Sequence, residues 1–243
     1  MKASAASALG IAENHIFLKE RRRMNHRQDT GSQYGRTPGQ SFYRDVLEGD
    51  LRFRVNLSDY LDTGLFLDAR KKRALIRSAS GGKRVLNLFA YTCSLSAAAA
   101  KGGARQVDSV DLSNTYLEWG RINFALNGLE APSLIRGDVF QFIAQAAKKR
   151  LRWDIIILDP PGFSNSKKMK GILDIRRDHL DLIRGCLPLL NPGGTLWFSS
   201  NAGGFRLESG GFTDLLVKDM VKELVDEDFR GKRIPLCYTL TKE

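Results

Sequence analysis

From residue 84 onward, short and continuously apolar runs alternate with segments of helical periodicity, and this alternation narrows the choice of fold more than any other feature. RVLNLFA (84–90), QVDSVDL (106–112), SLIRGD (133–138), WDIIILDPP (153–161) and GGTLWFSSN (193–201) read as strands. Between them SLSAAAAKGG (94–103), TYLEWGRINFALNG (115–128), VFQFIAQAAKKR (139–150) and DHLDLIRGCLPLL (178–190) read as helices, the first two closing on glycine stops. A strand that is apolar at consecutive positions is covered on both faces. The pattern therefore predicts an α/β fold with a mostly parallel sheet between two layers of helices. The tail adds a helix near 211–220, a short strand near 221–225 and a last strand near 235–240.

The chain divides near residue 56, into a small basic β-rich segment over 1–56 and a catalytic-sized domain over 57–243. In the first part, HIFL (15–18) and LRFRV (51–55) read as strands. They flank a basic stretch rich in turn formers, KERRRMNHRQDTGSQYGRTPGQ, which reads as a loop or arm. No run approaches the length of a membrane-spanning helix, and the amino terminus lacks the apolar stretch of a secretion signal. Three widely spaced cysteines, Cys93, Cys186 and Cys237, fit reduced thiols in a cytoplasm rather than a disulfide framework. No CxxC pair and only three scattered histidines leave no pattern for a metal site. Lys and Arg number 38 against 27 acids, a net charge of +11, which points to an anionic partner such as nucleic acid or an acidic membrane surface.

In parallel sheets ligands bind beyond the carboxyl ends of the strands, so the residues there are the candidates. Asn87 to Ser94, NLFAYTCS, runs from the first strand into a helix, with a helix amino terminus suited to an anionic group. Asp111 ends the second strand, where a ribose-hydroxyl acceptor sits in doubly wound nucleoside sites, or where the acid caps the next helix. Asp138, after the third strand, reads equally as an acceptor for an adenine amine or as a helix cap. LDPPGFSNSKK (158–168) follows the fourth strand: two prolines stiffen the loop, Asp159 reaches the cleft, and Phe163 offers a stacking face. Lys167, Lys168 and Lys170 there, with Arg21, Arg22, Arg23 and Arg27 in the arm, are the candidate RNA phosphate contacts. Further clusters at Lys71–Arg73, Lys148–Arg152 and Arg176-Arg177 are expected to flank the same cleft. DYLDTGLFLDAR (59–70) carries surplus acids for a helix entry and reads as a lid over a charged cofactor.

Together NLFAYT, VDLSNTYLEW, LDPPGFSNSK and DYLDTGLFLD closely resemble class I S-adenosylmethionine-dependent methyltransferases acting on bacterial 23S rRNA, nearest to the guanine-N7 module of the bifunctional large-subunit enzymes. The resemblance runs from about Leu9 to Leu240 and implies a Rossmann-like, seven-stranded sheet, with S-adenosylmethionine as cofactor. It implies that Asn87, Phe89, Tyr91 and Thr92 form the cofactor loop, with Asp111 on the ribose and Asp138 on the adenine side. Asp62, Gly64, Phe66, Asp68 and Arg70 would close over the cofactor. Asp159, Pro160 and Pro161 match the catalytic loop beside the sulfonium, Asn201 falls where the guanine-N7 module also has asparagine, and Phe163 would stack on the target base. Partners so implied are 23S rRNA or the assembling large subunit, with no membrane role.

Two departures matter. Cys93 stands where relatives usually have glycine, and if the position needs a positive φ it costs on the order of 1 kcal/mol, at the expense of cofactor affinity. The chain also begins inside what resembles a small domain preceding the second module, as a reduced stand-alone version or a fragment would. An exocyclic amino group is a weaker target, since such enzymes generally use Asn-Pro-Pro-aromatic where this chain has Asp-Pro-Pro-Gly at 159–162. Two further rival readings stay open. Cytosine-C5 methylation needs a cysteine nucleophile, and the resemblance implies that the cytosine-C5 relatives carry it at the position of Ser200 here. A catalytically impaired RNA-binding or assembly module would fit Cys93 and the short amino terminus.

Overall fold

The structure is a computed structural model that describes residues 1–19, 41–130, 132–164, 171–212, 214–231 and 235–242. Its strands are β1 (Tyr43–Glu48), β2 (Leu51–Asn56), β3 (Arg84–Leu88), β4 (Gln106–Asp111), β5 (Ser133–Arg136), β6 (Trp153–Leu158), β7 (Phe163–Ser164), β8 (Leu173–Asp174), β9 (Leu190–Ser200), β10 (Leu215–Asp219) and β11 (Leu236–Lys242). Its helices are α1 (Lys2–Leu9), α2 (Arg70–Ala79), α3 (Ser94–Lys101), α4 (Asn114–Leu126), α5 (Val139–Lys148), α6 (Ile175–Cys186) and the one-turn α7 (Val221–Leu224).

Seven strands form one sheet in the order β10-β11-β9-β6-β3-β4-β5, and β11 pairs antiparallel with both its neighbours while the rest run parallel. The chain winds outward from β3 through β4 to β5, then returns to β6 on the other side of β3. That reversal opens a crevice at the carboxyl ends of β3 and β6. The consecutive apolar residues divide between two cores. Val85, Ile155 and Ile157 face one side with α2, α3 and α4, while Leu86, Leu88, Ile156 and Leu158 face the other with α5 and α6.

Two assignments at the ends of the chain are corrected. The tail segments exchange identities: Leu215–Asp219 is an edge strand and Val221–Leu224 a helical turn. Leu215 and Val217 turn inward between exposed Leu216 and Lys218, a period-two pattern that pairing with β11 selects. The Asp219 carboxylate then accepts from the Val221 amide at 2.8 Å and starts the turn. HIFL is not a strand; a 3₁₀ turn at Glu13–His15 takes in its first residue, and the alanine-rich Lys2–Leu9 is helical.

The β1–β2 hairpin sends Leu51, Phe53 and Val55 into the first core. The outward edge of β2 is met by side chains of α4 instead of another strand. Trp119 Nε1 donates to the Arg54 carbonyl at 2.8 Å, and the Arg54 amide donates to Asn123 Oδ1 at 2.9 Å. Asn127 accepts from the Arg52 amide at 2.8 Å and donates to its carbonyl at 2.7 Å. Residues 119, 123 and 127 stand four apart, on one helix face, so α4 docks as a row of strand-like partners. Asn123 also donates to the Thr92 carbonyl at 2.9 Å, which ties the hairpin to the loop after β3. Asn123→Ala would orphan two backbone groups, one of them buried, and should destabilise by on the order of 2 kcal/mol in urea unfolding. Asn127→Ala, whose partners are exposed, should lose under about 1 kcal/mol.

Candidate active site

The loop after β3 holds three non-glycine residues in the left-handed region within five positions: Phe89 at φ 58°, Tyr91 at φ 50° and Cys93 at φ 59°. Each such residue costs on the order of 1 kcal/mol, so the surroundings must enforce the shape. They do so from several sides. The Ala90 amide donates to Val110 O at 3.0 Å and the Tyr91 amide to Asp111 Oδ2 at 2.8 Å. Thr92 Oγ1 donates to the Gly64 carbonyl at 2.6 Å. Cys93 Sγ rests on Gly120, where a Cβ would come within 2.5 Å of the sulfur. The positive φ at Cys93 is thus met, and the fully buried thiol is pushed up to about 12 by burial.

Asp111 does not cap α4; Ser113 does, accepting from the Tyr116 amide. Asp111 instead accepts from the amides of Tyr91 and Ser113, each at 2.8 Å. Burial raises its pKa even so, against the pull of those amides. Its carboxylate is therefore fixed in orientation at the tip of β4, with lone pairs left for hydroxyl donors. Asp138 caps α5, accepting from Gln141 N at 3.1 Å through Oδ1. Asn87 is buried beneath α3, where it donates to Ser96 Oγ at 2.8 Å, and its Oδ1 has no protein partner among the described residues.

The segment from Asp59 to Arg70 crosses this loop. Gly64, at φ 95°, packs so closely on Trp119 that a Cβ would lie 2.2 Å from the indole. Phe66 is half exposed, with its ring 5.5 Å from that of Tyr91, and Tyr91 meets Tyr116 edge-on at 4.6 Å. Asp62 is near enough to the Lys19 ammonium to act on it, and Asp68 lines a cavity of about 20 Å³ with Lys72, Ser199 and Cys237. Arg70 is paired with Asp226 at 2.6 Å and Asp228 at 2.9 Å.

At the tip of β6, Asp159 is held by two groups. Lys72 Nζ donates to Oδ2 at 2.9 Å, Ser199 Oγ donates to Oδ1 at 2.5 Å, and Lys72 also reaches Ser199 Oγ at 2.9 Å. Burial alone would raise the pKa of Asp159, but the Lys72 ammonium and the Ser199 hydroxyl hold it below the usual value. Pro160 is buried beside it, Pro161 is half-buried, and Asn201 at the tip of β9 lies against Gly162, where a Cβ would be 3.3 Å from its Oδ1. Phe163 is 50% exposed and opens the small β7–β8 ribbon.

The strand tips thus bring together Asp111, Asp159, Pro160 and Asn201 with the loop after β3. Arg21, Arg22, Arg23, Arg27, Lys167, Lys168 and Lys170 lie outside the described residues. The other basic clusters need correction. Lys72 is buried in its pair with Asp159, and Arg73 is buried against Glu48 with Nε at 2.7 Å, because a cation inside this core must be paired. Lys71 donates to Val225 O at 2.7 Å, and Arg177 pairs with Asp178 at 2.5 Å. Lys148–Arg152 precedes β6 and so sits at the opposite rim of the sheet from the tips. Lys72 was not anticipated as a site residue, although one signal existed. It shares the inward face of α2 with Leu75 and Ile76, three and four residues on at helical spacing.

The sequence pattern of the S-adenosylmethionine-dependent methyltransferase family matches residues 3–223. This chain belongs to that family. It is 46% identical over 241 residues to the ribosomal RNA large subunit methyltransferase K of Neisseria meningitidis, covering 98% of this chain and 66% of that protein. It is 47% identical over 235 residues to methyltransferase K/L of Allochromatium vinosum, covering 96% of this chain and 31% of that protein. The chain therefore spans only part of these relatives, from 31% to 66% of their length. Among solved structures, SMU.776, described as a methyltransferase and complexed with SAH, superposes with a TM-score of 0.71 at 31% identity, over 86% of this chain and 57% of that one. The cofactor of the family is S-adenosylmethionine, which supplies an electrophilic methyl on a sulfonium. The methyltransferase loop fits such a nucleoside. Asp111 is an oriented acceptor at the strand tip, and glycine at 64 keeps the overlying segment close.

Two outcomes follow. Gly64→Ala adds a Cβ into Trp119 at a left-handed position, and should destabilise by about 2–3 kcal/mol in thermal or urea unfolding. Lys72→Met removes the counter-charge of Asp159. In the parent the lowered pKa of Asp159 stabilises the fold above the unfolded carboxylate pKa, and that contribution is lost as pH falls through the folded value. In the variant burial acts unopposed and raises that pKa, so its stability deficit in urea should be largest near pH 7 and shrink toward about pH 4.

Proposed function

We propose that this chain transfers a methyl group from S-adenosylmethionine to guanine N7 of 23S rRNA in the bacterial cytoplasm. The substrate class follows the names of the relatives, ribosomal RNA large subunit methyltransferases K and K/L. The choice of atom rests on one observation: no cysteine is available as a nucleophile. Cys93, Cys186 and Cys237 are all buried, and burial pushes the thiols of Cys93 and Cys237 up to about 12 and that of Cys186 higher still. The tip of β9 carries Ser200, itself buried. Cytosine C5 becomes nucleophilic only after a thiolate adds to the ring, whereas guanine N7 has an in-plane lone pair and no proton to lose.

On this reading the chain works by alignment and charge placement. Asp111 accepts from the ribose hydroxyls, Asp138 faces the adenine side through its free oxygen, and Asn87 Oδ1 offers an acceptor beneath the loop. Phe89, Tyr91 and Thr92 shape the loop, while Asp62, Gly64, Phe66, Asp68 and Arg70 form or brace the overlying segment. Asp159, kept ionised by Lys72, faces positive charge that passes from sulfur to the base as the methyl moves. Pro160 and Pro161 fix its position, Asn201 orients the base, and Phe163 stacks on it.

The test is nucleoside mass spectrometry of 23S rRNA treated with the protein and cofactor. 7-Methylguanosine is expected; 5-methylcytidine would overturn the atom assignment. Asp159→Ala should bind S-adenosylmethionine within about threefold of the parent by calorimetry, yet lose turnover by at least about 100-fold. A parent chain with no detectable cofactor affinity would instead favour a non-catalytic RNA-binding role.

A further inference from the structure

Charge is divided between the two rims of the sheet. The carboxyl rim carries Asp111, Asp138 and Asp159, with Lys72 paired to Asp159 and Arg136 at the end of β5. The amino rim, from the start of β9 across β6 and β3 to β4, gathers cations. Lys83 and Arg84 open β3, Arg105 precedes β4, and Lys148, Lys149, Arg150 and Arg152 lead into β6; all but Arg84 are exposed. These segments adjoin one another. Arg105 N donates to Lys83 O at 2.8 Å, and the Arg84 guanidinium lies 5.7 Å from the Trp153 ring. Two acids lie among these segments: Asp154, which accepts from Arg84 N at 2.8 Å and Asn191 Nδ2 at 2.7 Å, and buried Asp108, which accepts from Trp153 Nε1 at 2.7 Å and Gln106 Nε2 at 2.8 Å. Those partners are neutral, so Asp154 offsets part of the charge of Lys83 and Arg105, but the exposed cations outnumber the acids and leave the rim positive.

Helix ends do not account for this cluster. Cations stabilise the carbonyl ends of helices, and Lys148 closes α5 in that way. Lys83, Arg84, Arg105, Arg150 and Arg152 lie outside helices. Arg150 stands at φ 54° in the left-handed position after α5, where Arg150 N bonds Ala147 O and Leu151 N bonds Ala146 O, each at 3.0 Å. That is the place glycine fills without strain, so an arginine there carries a backbone penalty in exchange for an exposed charge.

We propose that this amino rim is a second RNA-contact surface, gripping backbone phosphates of a structured rRNA whose target base enters the cleft at the opposite rim. The inference rests on the rRNA reading above. Six-residue β6 separates the rims by about 20 Å, so a folded RNA domain can span both while a short strand in the cleft cannot. Phosphate contacts of this kind give affinity without sequence preference and a steep dependence on salt.

The experiment compares the full chain with the triple variant Arg105→Glu/Lys148→Glu/Lys149→Glu and with Arg150→Gly. Each is titrated with a full-length 23S rRNA transcript and with a short single-stranded oligonucleotide, over a series of salt concentrations. The triple variant should lose at least about 10-fold in affinity for the transcript, and its log–log salt slope should flatten by roughly two to three. Affinity for the oligonucleotide and for S-adenosylmethionine should stay unchanged. Arg150→Gly should melt at the same or a higher temperature and still bind the transcript about two- to threefold more weakly. A triple variant that keeps parental affinity and slope, while the parent methylates rRNA, overturns this inference alone. A parent that neither binds nor methylates 23S rRNA overturns the proposed function and this inference with it.

Discussion

The enforced shape of the loop from Phe89 to Cys93 is the constraint on which the rest of the site depends. Three left-handed residues in five would relax in a free peptide. Here the amides of Ala90 and Tyr91 are taken by β4, the Thr92 hydroxyl by the crossing segment at Gly64, and the Thr92 carbonyl by α4 through Asn123. Each anchor comes from a different part of the chain. The loop is therefore correct only when sheet, hairpin and α4 are all in place, and on the proposed function cofactor affinity becomes a report on the whole fold.

Electrostatics follow a similar logic. The carboxylate at the tip of β6 stays ionised and still, although burial favours its neutral form. Lys72 and Ser199 supply the opposing charge and the second hydrogen bond from elements remote in sequence. With its cation built in, the Asp159 site adds little net negative charge, and on the proposed function Asp111 and Asp138 carry more of the attraction for a cationic cofactor. The cations at the far rim keep their distance from these acids, so attraction for a polyanion and attraction for a sulfonium do not cancel.

The central sheet was legible because β3 and β6 are buried on both faces, and nothing but a covered parallel strand explains six consecutive residues such as WDIIIL. The tips of β4 and β6 were legible for the same reason: once the strand is found, the residue that follows it is placed. Legibility failed where one side of an element meets solvent. LLVKD is short enough to satisfy either period, and only pairing with β11 decides it. Lys72 was hidden because a lysine in a basic run ordinarily points outward, and only the tertiary fold brings Asp159 beneath it. The clusters at Lys71–Arg73 and Lys148–Arg152 misled in a related way, since charge runs do not reveal which rim or which core their residues meet.

The row of Trp119, Asn123 and Asn127 along β2 bears on how this protein keeps to itself. To β2 these side chains serve as a neighbouring strand, filling the donors and acceptors of Arg52 and Arg54. A true strand would in turn present a fresh edge of its own. A helix face does not, so backbone pairing stops at α4, and the hairpin is closed on that side to recruitment of extended segments from other molecules.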